Sequence, residues 1–191
     1  MEGTTAEGKE KTSVNIIVAV VVIIAVVVIS LMMFGRRGKF EPVIAGKNAP
    51  GFKLPDLDGK ITALSDFKGK VVFLNFWATW CKPCEEEMPS MQMLYDDLKD
   101  ENFEMLAVSL DSKGPGGIRE FARKYGLTFP ILHDRKGKVK EIYKTTGVPE
   151  TFIIDQNGII AEKVWGPRDW SRADSVRVIY GLLREGPRAS Y

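Results

Sequence analysis

Hydrophobic and polar positions divide this chain into an apolar N-terminal run and a longer region in which apolar and polar segments alternate. The 21 residues from Val14 to Phe34 include only two polar side chains, Asn15 and Ser30. A helix rises about 1.5 Å per residue, so this run would extend over roughly 31 Å, the thickness of a bilayer core. The run has no polar face and is longer than most core helices. It therefore predicts an uncleaved transmembrane anchor rather than a core helix or a signal peptide.

The apolar run separates a short polar tail from a globular region. We expect the tail over residues 1–13, the anchor over 14–34, a linker over 35–46 and one domain over 47–188. The length of the last segment is ordinary for a single domain.

Within the domain, strand-like runs alternate with segments whose apolar residues recur at helical spacing. Val71 to Trp77 is apolar apart from Asn75, which is typical of a strand buried on both faces of a sheet. Asp58-Gly59 is a hairpin-turn signal. The other predicted strands lie at 52–54, 61–63, 103–110, 128–132, 151–155 and 159–165, and the predicted helices at 85–100, 118–125, 138–145 and 176–183.

The order of these elements predicts the fold class. Two strand–helix units are followed by an antiparallel hairpin and a final helix. Right-handed connections between parallel strands then give an α/β three-layer sandwich with a mixed central sheet, preceded by the transmembrane helix.

Charge and composition exclude two classes of function. The net charge is only +2, whereas a chain that neutralises many phosphates is usually far more basic, so we expect no nucleic-acid partner. One histidine and two cysteines do not supply the four Cys/His ligands of a structural zinc site.

The two cysteines, Cys81 and Cys84, stand three apart between a predicted strand and a predicted helix. A C-x-x-C in that position is typical of a redox dithiol. Cys81 would lie at the open helix terminus, where free backbone N–H groups stabilise a thiolate, and Cys84 would lie deeper. Pro83 is tolerated in a first helical turn.

Other uses of the cysteines remain open from the residues alone. Two buried structural thiols would rarely occupy such a turn. Haem attachment would require histidine at position 85, which is Glu85. His133, the only histidine, could complete a Cys2His copper or zinc site, but we expect it to be an ordinary surface residue with no role.

The segment "VVFLNFWATWCKPC" resembles the thioredoxin superfamily, and "GVPETFIID", from Gly147 to Asp155, resembles its second signature. From Lys47 to Arg184 the chain is most similar to membrane-anchored thioredoxin-like thiol-disulfide oxidoreductases of the TlpA/ResA/CcmG (DsbE) type. The resemblance implies that Pro149 is a cis-proline facing the dithiol. It also implies that Val148 and Trp80 bind substrate.

The sequence departs from thioredoxin at Asn75, where thioredoxin has a buried aspartate that accepts the proton of the second cysteine. Asn75 cannot titrate. Glu87 follows Cys84 by three residues, on the same side of the predicted helix. We therefore expect Glu87 to be catalytic, and Glu85 and Glu86 to form only a solvated acidic first turn.

The resemblance implies an enzyme that reduces disulfides in extracytoplasmic proteins, including apocytochrome c, with electrons from a membrane dithiol donor. The redox group would be the Cys81–Cys84 pair, and we expect no other cofactor and no metal. Disulfides form outside the cytoplasm, so we expect the domain on that side of the cytoplasmic membrane. The flanking positive charges lean slightly the other way, but long domains are translocated largely regardless of charge.

Two other functions are alternatives. The first half of the domain also resembles the AhpC/TSA redoxins, which include thiol peroxidases with a P-x-x-x-T-x-x-C motif. Here Leu74 replaces the proline, and Thr79 is two residues before Cys81 rather than three. The second alternative is a copper-binding chaperone that uses Cys81, Cys84 and His133.

Overall fold

The computed structural model describes residues 18–30 and 43–186 of the chain, which divides into two units, Met1–Glu41 and Pro42–Tyr191. In the first unit, residues 18–30 form a helix, α1, with exposed side chains. Among the helices that the structure describes, none combines the length and the apolarity needed to cross a bilayer. The predicted tail lies outside the described residues, as do both ends of the predicted anchor and most of the predicted linker. The transmembrane anchor therefore stays a prediction.

The second unit is built on a five-stranded mixed sheet. Its strands are β3 (Val71–Trp77), β4 (Phe103–Ser109), β5 (Ile131–His133), β6 (Glu150–Ile154) and β7 (Ile160–Trp165). Their order in the sheet is β5-β4-β3-β6-β7; β3 and β5 run parallel to β4, whereas β6 is antiparallel to both β3 and β7.

Helices and a small hairpin cover the two faces of this sheet. Alternate residues of β3 point to opposite faces, so Phe73 joins one hydrophobic cluster and Leu74 the other. The helices are α2 (Lys82–Leu98), α3 (Gly116–Lys124), α4 (Lys138–Ile142) and α5 (Ala173–Glu185). The first cluster includes residues of α2, α3 and α5, and the second includes residues of α4 and of the hairpin. The predicted three-layer α/β arrangement with a mixed sheet is confirmed.

The hairpin consists of β1 (Lys53–Pro55) and β2 (Ile61–Ala63), which pair antiparallel. Its turn contains Gly59 at a φ of 89°, a conformation that glycine adopts readily. Asp56 forms a bridge to Leu132, so the hairpin protects the edge strand β5. A 3-10 turn, Leu64–Phe67, leads from the hairpin towards β3.

Several element boundaries differ from the prediction by one to three residues, and three of these differences have a clear local reason. Helix α2 begins at Lys82 rather than position 85 because Cys81 caps it. Strand β5 begins only at Ile131, since Pro130 has no N–H to donate to a ladder. Helix α4 ends at Ile142, and Lys144 then takes a φ of 53°, which ends the helical path.

Candidate active site

The cysteine motif lies where β3 ends and α2 begins. The side chain of Cys81 is the helix N-cap and accepts a hydrogen bond from the backbone N–H of Cys84 at 3.2 Å. Pro83 falls in the first turn, where its missing N–H leaves no gap in the helical ladder. The helix therefore begins at the cysteine pair, and the N-terminal end of the helix macrodipole lies at Cys81.

The two cysteines form a disulfide with their Cα atoms 5.2 Å apart. Cys81 keeps 5% of its surface exposed, and Cys84 is completely buried. A substrate approaching from solvent therefore meets Cys81 first. Trp80, immediately before it, is 71% exposed and presents its ring to solvent beside the pair.

The Val148–Pro149 loop faces the cysteine pair. The peptide bond between these two residues is cis, and the Val148 carbonyl oxygen lies 3.5 Å from Cys81 Sγ. The structure thus brings together Cys81 and the two loop residues singled out in the sequence. Val148 is half-buried and its carbonyl points to the reacting sulfur, so a substrate at Cys81 would lie against this loop.

Glu87 is buried on the sheet side of α2, with 2% of its surface exposed. Its carboxylate accepts hydrogen bonds from the Asn75 side-chain amide at 3.0 Å and from the Arg168 backbone N–H at 3.3 Å. Burial raises the pKa of Glu87 to about 7, although the two hydrogen bonds and the nearby Trp170 indole lower it. A carboxyl group with this pKa exchanges its proton near neutral pH.

Asn75 fixes the inner side of this carboxyl group. It lies opposite Thr151 in the β3–β6 ladder, and its amide also donates to the Thr151 hydroxyl at 2.9 Å. Both hydrogens of the amide are therefore used, one on Glu87 and one on Thr151. The sequence marked Asn75 only as a departure from thioredoxin, whereas the structure shows it holding the acid.

The other two acids of the run differ from each other. Glu86 is exposed, as expected. Glu85 is not a simply solvated residue, and that expectation was wrong. It accepts a hydrogen bond from the Tyr125 hydroxyl and lies 3.3 Å from the Lys82 ammonium and 3.9 Å from that of Lys124. These contacts, the Tyr125 bond first, lower the pKa of Glu85.

The loop after β7 supplies contacts that the sequence did not indicate. The N–H of Gly166 donates to the Pro149 carbonyl at 3.0 Å, and that of Trp170 donates to the Ser90 hydroxyl at 3.1 Å. With the Arg168 N–H that donates to Glu87, three backbone hydrogen bonds therefore connect this loop to the Val148–Pro149 loop and to α2. Backbone donors leave no signature in side-chain identity, so only the small buried Ser90 could have suggested this packing.

His133 is not a surface residue, and that expectation was also wrong. It is buried in β5 with 8% exposed, and its Nε2 lies 2.7 Å from the Asp111 carbonyl oxygen, to which it donates. Among the described residues, no group of three His, Cys, Asp or Glu side chains is arranged to hold a metal ion.

Comparisons with known proteins agree with this geometry. The model of the AhpC/TSA family matches residues 45–163. The thiol-disulfide oxidoreductase ResA of Geobacillus kaustophilus is 47% identical over 124 residues, which cover 65% of this chain and 71% of that protein. ResA of Bacillus cereus is 42% identical over 132 residues, covering 69% and 76%.

A solved structure extends the likeness to the fold. A Chlorobium tepidum protein assigned as a thiol:disulfide interchange protein DsbE is 34% identical, with a TM-score of 0.68 over 73% of this chain and 97% of that one. Fold, cysteine geometry and relatives agree. The chain belongs to the AhpC/TSA family and is a thioredoxin-like thiol-disulfide oxidoreductase.

Proposed function

We propose that this oxidoreductase works as a reductant of protein disulfides, with Cys81 as the attacking thiol, Cys84 as the resolving thiol and Glu87 as the proton acceptor. The observation that carries the proposal is the buried Glu87 carboxyl group, three residues after Cys84 on α2, with a pKa raised to about 7. A reductant needs such a group because its buried second thiol must lose a proton before it can attack.

The reaction has two exchange steps. The Cys81 thiolate attacks one sulfur of the substrate disulfide, forms a mixed disulfide and releases the other substrate sulfur as a thiolate. The Cys84 thiol then gives its proton to the Glu87 carboxylate and attacks the Cys81 sulfur. This second step releases the reduced substrate and leaves the Cys81–Cys84 disulfide, so two electrons have passed from enzyme to substrate.

The surroundings of Glu87 suit proton transfer to solvent. An open groove of about 450 Å³ is lined by Glu87 together with Met93, Arg168 and neighbouring residues. The carboxyl group is thus buried but lies at the wall of a solvent-connected space. A proton taken from Cys84 has a route out, and the acid is ready for the next cycle.

Substrate docking is proposed at Trp80 and at the Val148–Pro149 loop. Trp80 offers a large exposed aromatic surface next to Cys81. The Val148 backbone can pair with an extended substrate segment, in the manner of strand addition. Such backbone pairing accepts many sequences, which suits an enzyme that acts on disulfides of folding proteins.

We also propose that Val14 to Phe34 anchors the chain in the cytoplasmic membrane with the domain on the extracytoplasmic side. The support is the length and apolarity of that run and the chemistry, because a disulfide reductant has work where disulfides form. A membrane dithiol would re-reduce the Cys81–Cys84 pair. Apocytochrome c is proposed as a substrate on the resemblance described above.

The topology is tested by adding protease to spheroplasts that carry the full chain. Digestion of the domain without lysis is the expected result. Complete protection until the cells are lysed would place the domain in the cytoplasm and contradict the proposal.

The substrate is tested with the pre-reduced chain and oxidised peptides of the C-x-x-C-H type, as in apocytochrome c. A control peptide of the same composition has its cysteines further apart. We expect faster reduction of the C-x-x-C-H peptide. Equal rates for the two peptides would contradict the proposed substrate. Rapid turnover of hydrogen peroxide with neither peptide reduced would contradict the reductase proposal and favour a thiol peroxidase.

A further inference from the structure

A buried carboxylate, Asp111, lies at the edge of the sheet where the three parallel strands β3, β4 and β5 all end. Asp111 follows β4 and has 9% of its surface exposed. Both its oxygens are bonded to one residue of the cysteine motif. Oδ1 accepts from the Thr79 hydroxyl at 2.6 Å, and Oδ2 accepts from the Thr79 backbone N–H at 3.1 Å.

Asp111 is itself held from two neighbouring strands, through its carboxylate and its backbone. The Ser109 hydroxyl donates to Oδ2 at 2.8 Å and accepts from the Asp111 N–H at 3.2 Å. The Asp111 carbonyl oxygen accepts from His133 Nε2 at 2.7 Å, and His133 belongs to β5. Asp111 is therefore a fixed acceptor, and the orientation of Thr79 is set by the ends of β4 and β5.

Thr79 lies inside the tight turn that joins β3 to α2. The turn is closed by the Cys81 N–H, which donates to the Ala78 carbonyl at 3.2 Å. Thr79 lies between these two residues and immediately before the exposed Trp80. A group that fixes both the hydroxyl and the N–H of Thr79 therefore fixes the path of the chain into Cys81.

We propose that Asp111 is a positioning residue for the thiol chemistry, acting through Thr79. By holding this turn, it keeps Cys81 at the N-cap of α2, where Cys81 Sγ accepts the Cys84 N–H. Loss of the hold loosens the cap, and the thiolate of the reduced enzyme loses part of its hydrogen bonding and of the helix-terminus field. This proposal rests on the proposed role of Cys81 as the attacking thiol.

If Asp111 acted only through its negative charge, the pKa of the Cys81 thiol would respond to its loss in the opposite direction. A buried negative charge near Cys81 destabilises a thiolate, so removing the charge alone lowers the pKa of the thiol. Loosening the turn with the charge still present raises it. Among the described titratable groups, Lys82, Glu85 and Glu87 share the first turns of α2 with the cysteine pair, and Asp111 is bonded to Thr79, two positions before Cys81. A change at Thr79 leaves the identity of all four untouched.

The test uses Thr79→Val, which keeps the branched shape but removes the hydroxyl, and Thr79→Ser, which keeps the hydroxyl. The rate of alkylation of Cys81 is measured against pH on the reduced full chain, with peptide mapping of the labelled cysteine. We expect the midpoint to rise by about half a pH unit in Thr79→Val, which lowers the rate at neutral pH about threefold. Thr79→Ser keeps the wild-type midpoint.

Asp111→Asn completes the test, because an asparagine can still accept from the Thr79 N–H and donate to its hydroxyl. We expect its midpoint to stay at or slightly below that of the wild type. An unchanged midpoint in Thr79→Val, with the melting temperature of the wild type, would overturn the proposal. So would an equal rise in Thr79→Val and Thr79→Ser. First labelling of Cys84 in the wild type would overturn the thiol assignment instead.

Discussion

The side-chain amide of Asn75 donates a hydrogen bond to the buried carboxyl group of Glu87 at 3.0 Å, and this contact joins the central strand to the active-site helix. Asn75 occupies the position at which thioredoxin carries a titrating aspartate. In the proposed mechanism the proton acceptor is therefore on α2 rather than on the strand, and the strand residue is its hydrogen-bond donor. Because Asn75 is neutral, Glu87 has no buried negative partner there to compete for the proton.

The first prediction concerns the resolving step. Glu87→Gln keeps the size of the side chain but removes the carboxyl group that we propose as the acceptor of the Cys84 proton. We expect the rate of mixed-disulfide resolution to fall by about 100-fold at neutral pH, the lower end of the usual contribution of a general base, and its pH profile to lose the inflection near 7. Stopped-flow exchange with a peptide disulfide measures both.

Glu86→Gln is the matched control, because Glu86 is the exposed neighbour on the same helical turn. Glu85→Gln is unsuitable, since it would break the contacts to Tyr125 and two lysines. If the pH profiles of mixed-disulfide resolution were identical in Glu86→Gln and Glu87→Gln, Glu87 would influence the rate only through its charge and not as a specific base.

A second prediction concerns stability against pH. The folded protein favours the neutral form of Glu87, since burial raises its pKa from 4.5 to about 7. The contribution of this group is therefore complete below about pH 4.5 and is lost as the pH rises through 7. At about 1.4 kcal/mol per pKa unit, the loss is at most about 3.5 kcal/mol.

Urea unfolding of the oxidised protein at pH 5 and pH 8 measures the effect. The free energy of unfolding should fall more between these pH values in the wild type than in Glu87→Gln, which has nothing to ionise at that position. Equal differences in both proteins would contradict the raised pKa.

The sequence predicts the structure best where the local pattern of burial alone determines the residue types. The β3 strand and the α2 face were predictable because burial on both sides leaves a continuous apolar run, and one-sided burial leaves a helical period. The cysteine pair was predictable for a similar reason, since a dithiol at a helix start needs few other residues. Glu87 was singled out because Asn75 left the usual position of the base without a titrating group; the structure brings the two side chains together, and the catalytic role of Glu87 stays a prediction.

What the sequence did not reveal depends on contacts between distant segments. Arg168 and Gly166 act through backbone N–H groups, which any residue could supply. His133 begins the charged segment "HDRKGK", yet it is the last residue of β5, in which all three residues are buried. Glu85 was expected in solvent because nothing near it in sequence indicates Tyr125, the C-cap residue of α3, which lies 40 positions further along the chain.

The third prediction concerns the exposed ring at the active site. Trp80→Ala should raise KM for a protein substrate about tenfold, since a large aromatic at the centre of a contact is a common hot spot. The melting temperature should hardly change, because 71% of the surface of Trp80 is exposed. Trp165→Ala, at an exposed position on β7, is the control of equal size. Equal increases in KM for both variants would argue against a specific docking role.

The fourth prediction concerns a buried ion pair behind the proline loop. Glu150, next to Pro149, lies 2.8 Å from the Lys163 ammonium, and both side chains are at least nine-tenths buried. Lys163→Met should lower the free energy of unfolding by about 3 kcal/mol, because it leaves a buried carboxylate without its partner.

Lys99→Met removes one member of the exposed pair with Asp96 and should cost less than about 1 kcal/mol. The double variant Lys163→Met with Glu150→Gln should recover part of the loss. A cost for Lys163→Met no larger than for Lys99→Met, in urea unfolding at neutral pH, would contradict the account.

The assignment of Cys81 as attacking thiol and Cys84 as resolving thiol is tested most directly by trapping. The full chain is reduced, mixed with an excess of a protein disulfide and quenched with acid, and mixed disulfides are resolved on non-reducing gels. Cys84→Ser should accumulate a mixed disulfide on Cys81, because the more accessible thiol can attack and no second thiol remains to resolve the adduct. Cys81→Ser should form none. A stable adduct on Cys84 in Cys81→Ser, with none in Cys84→Ser, would contradict the assignment.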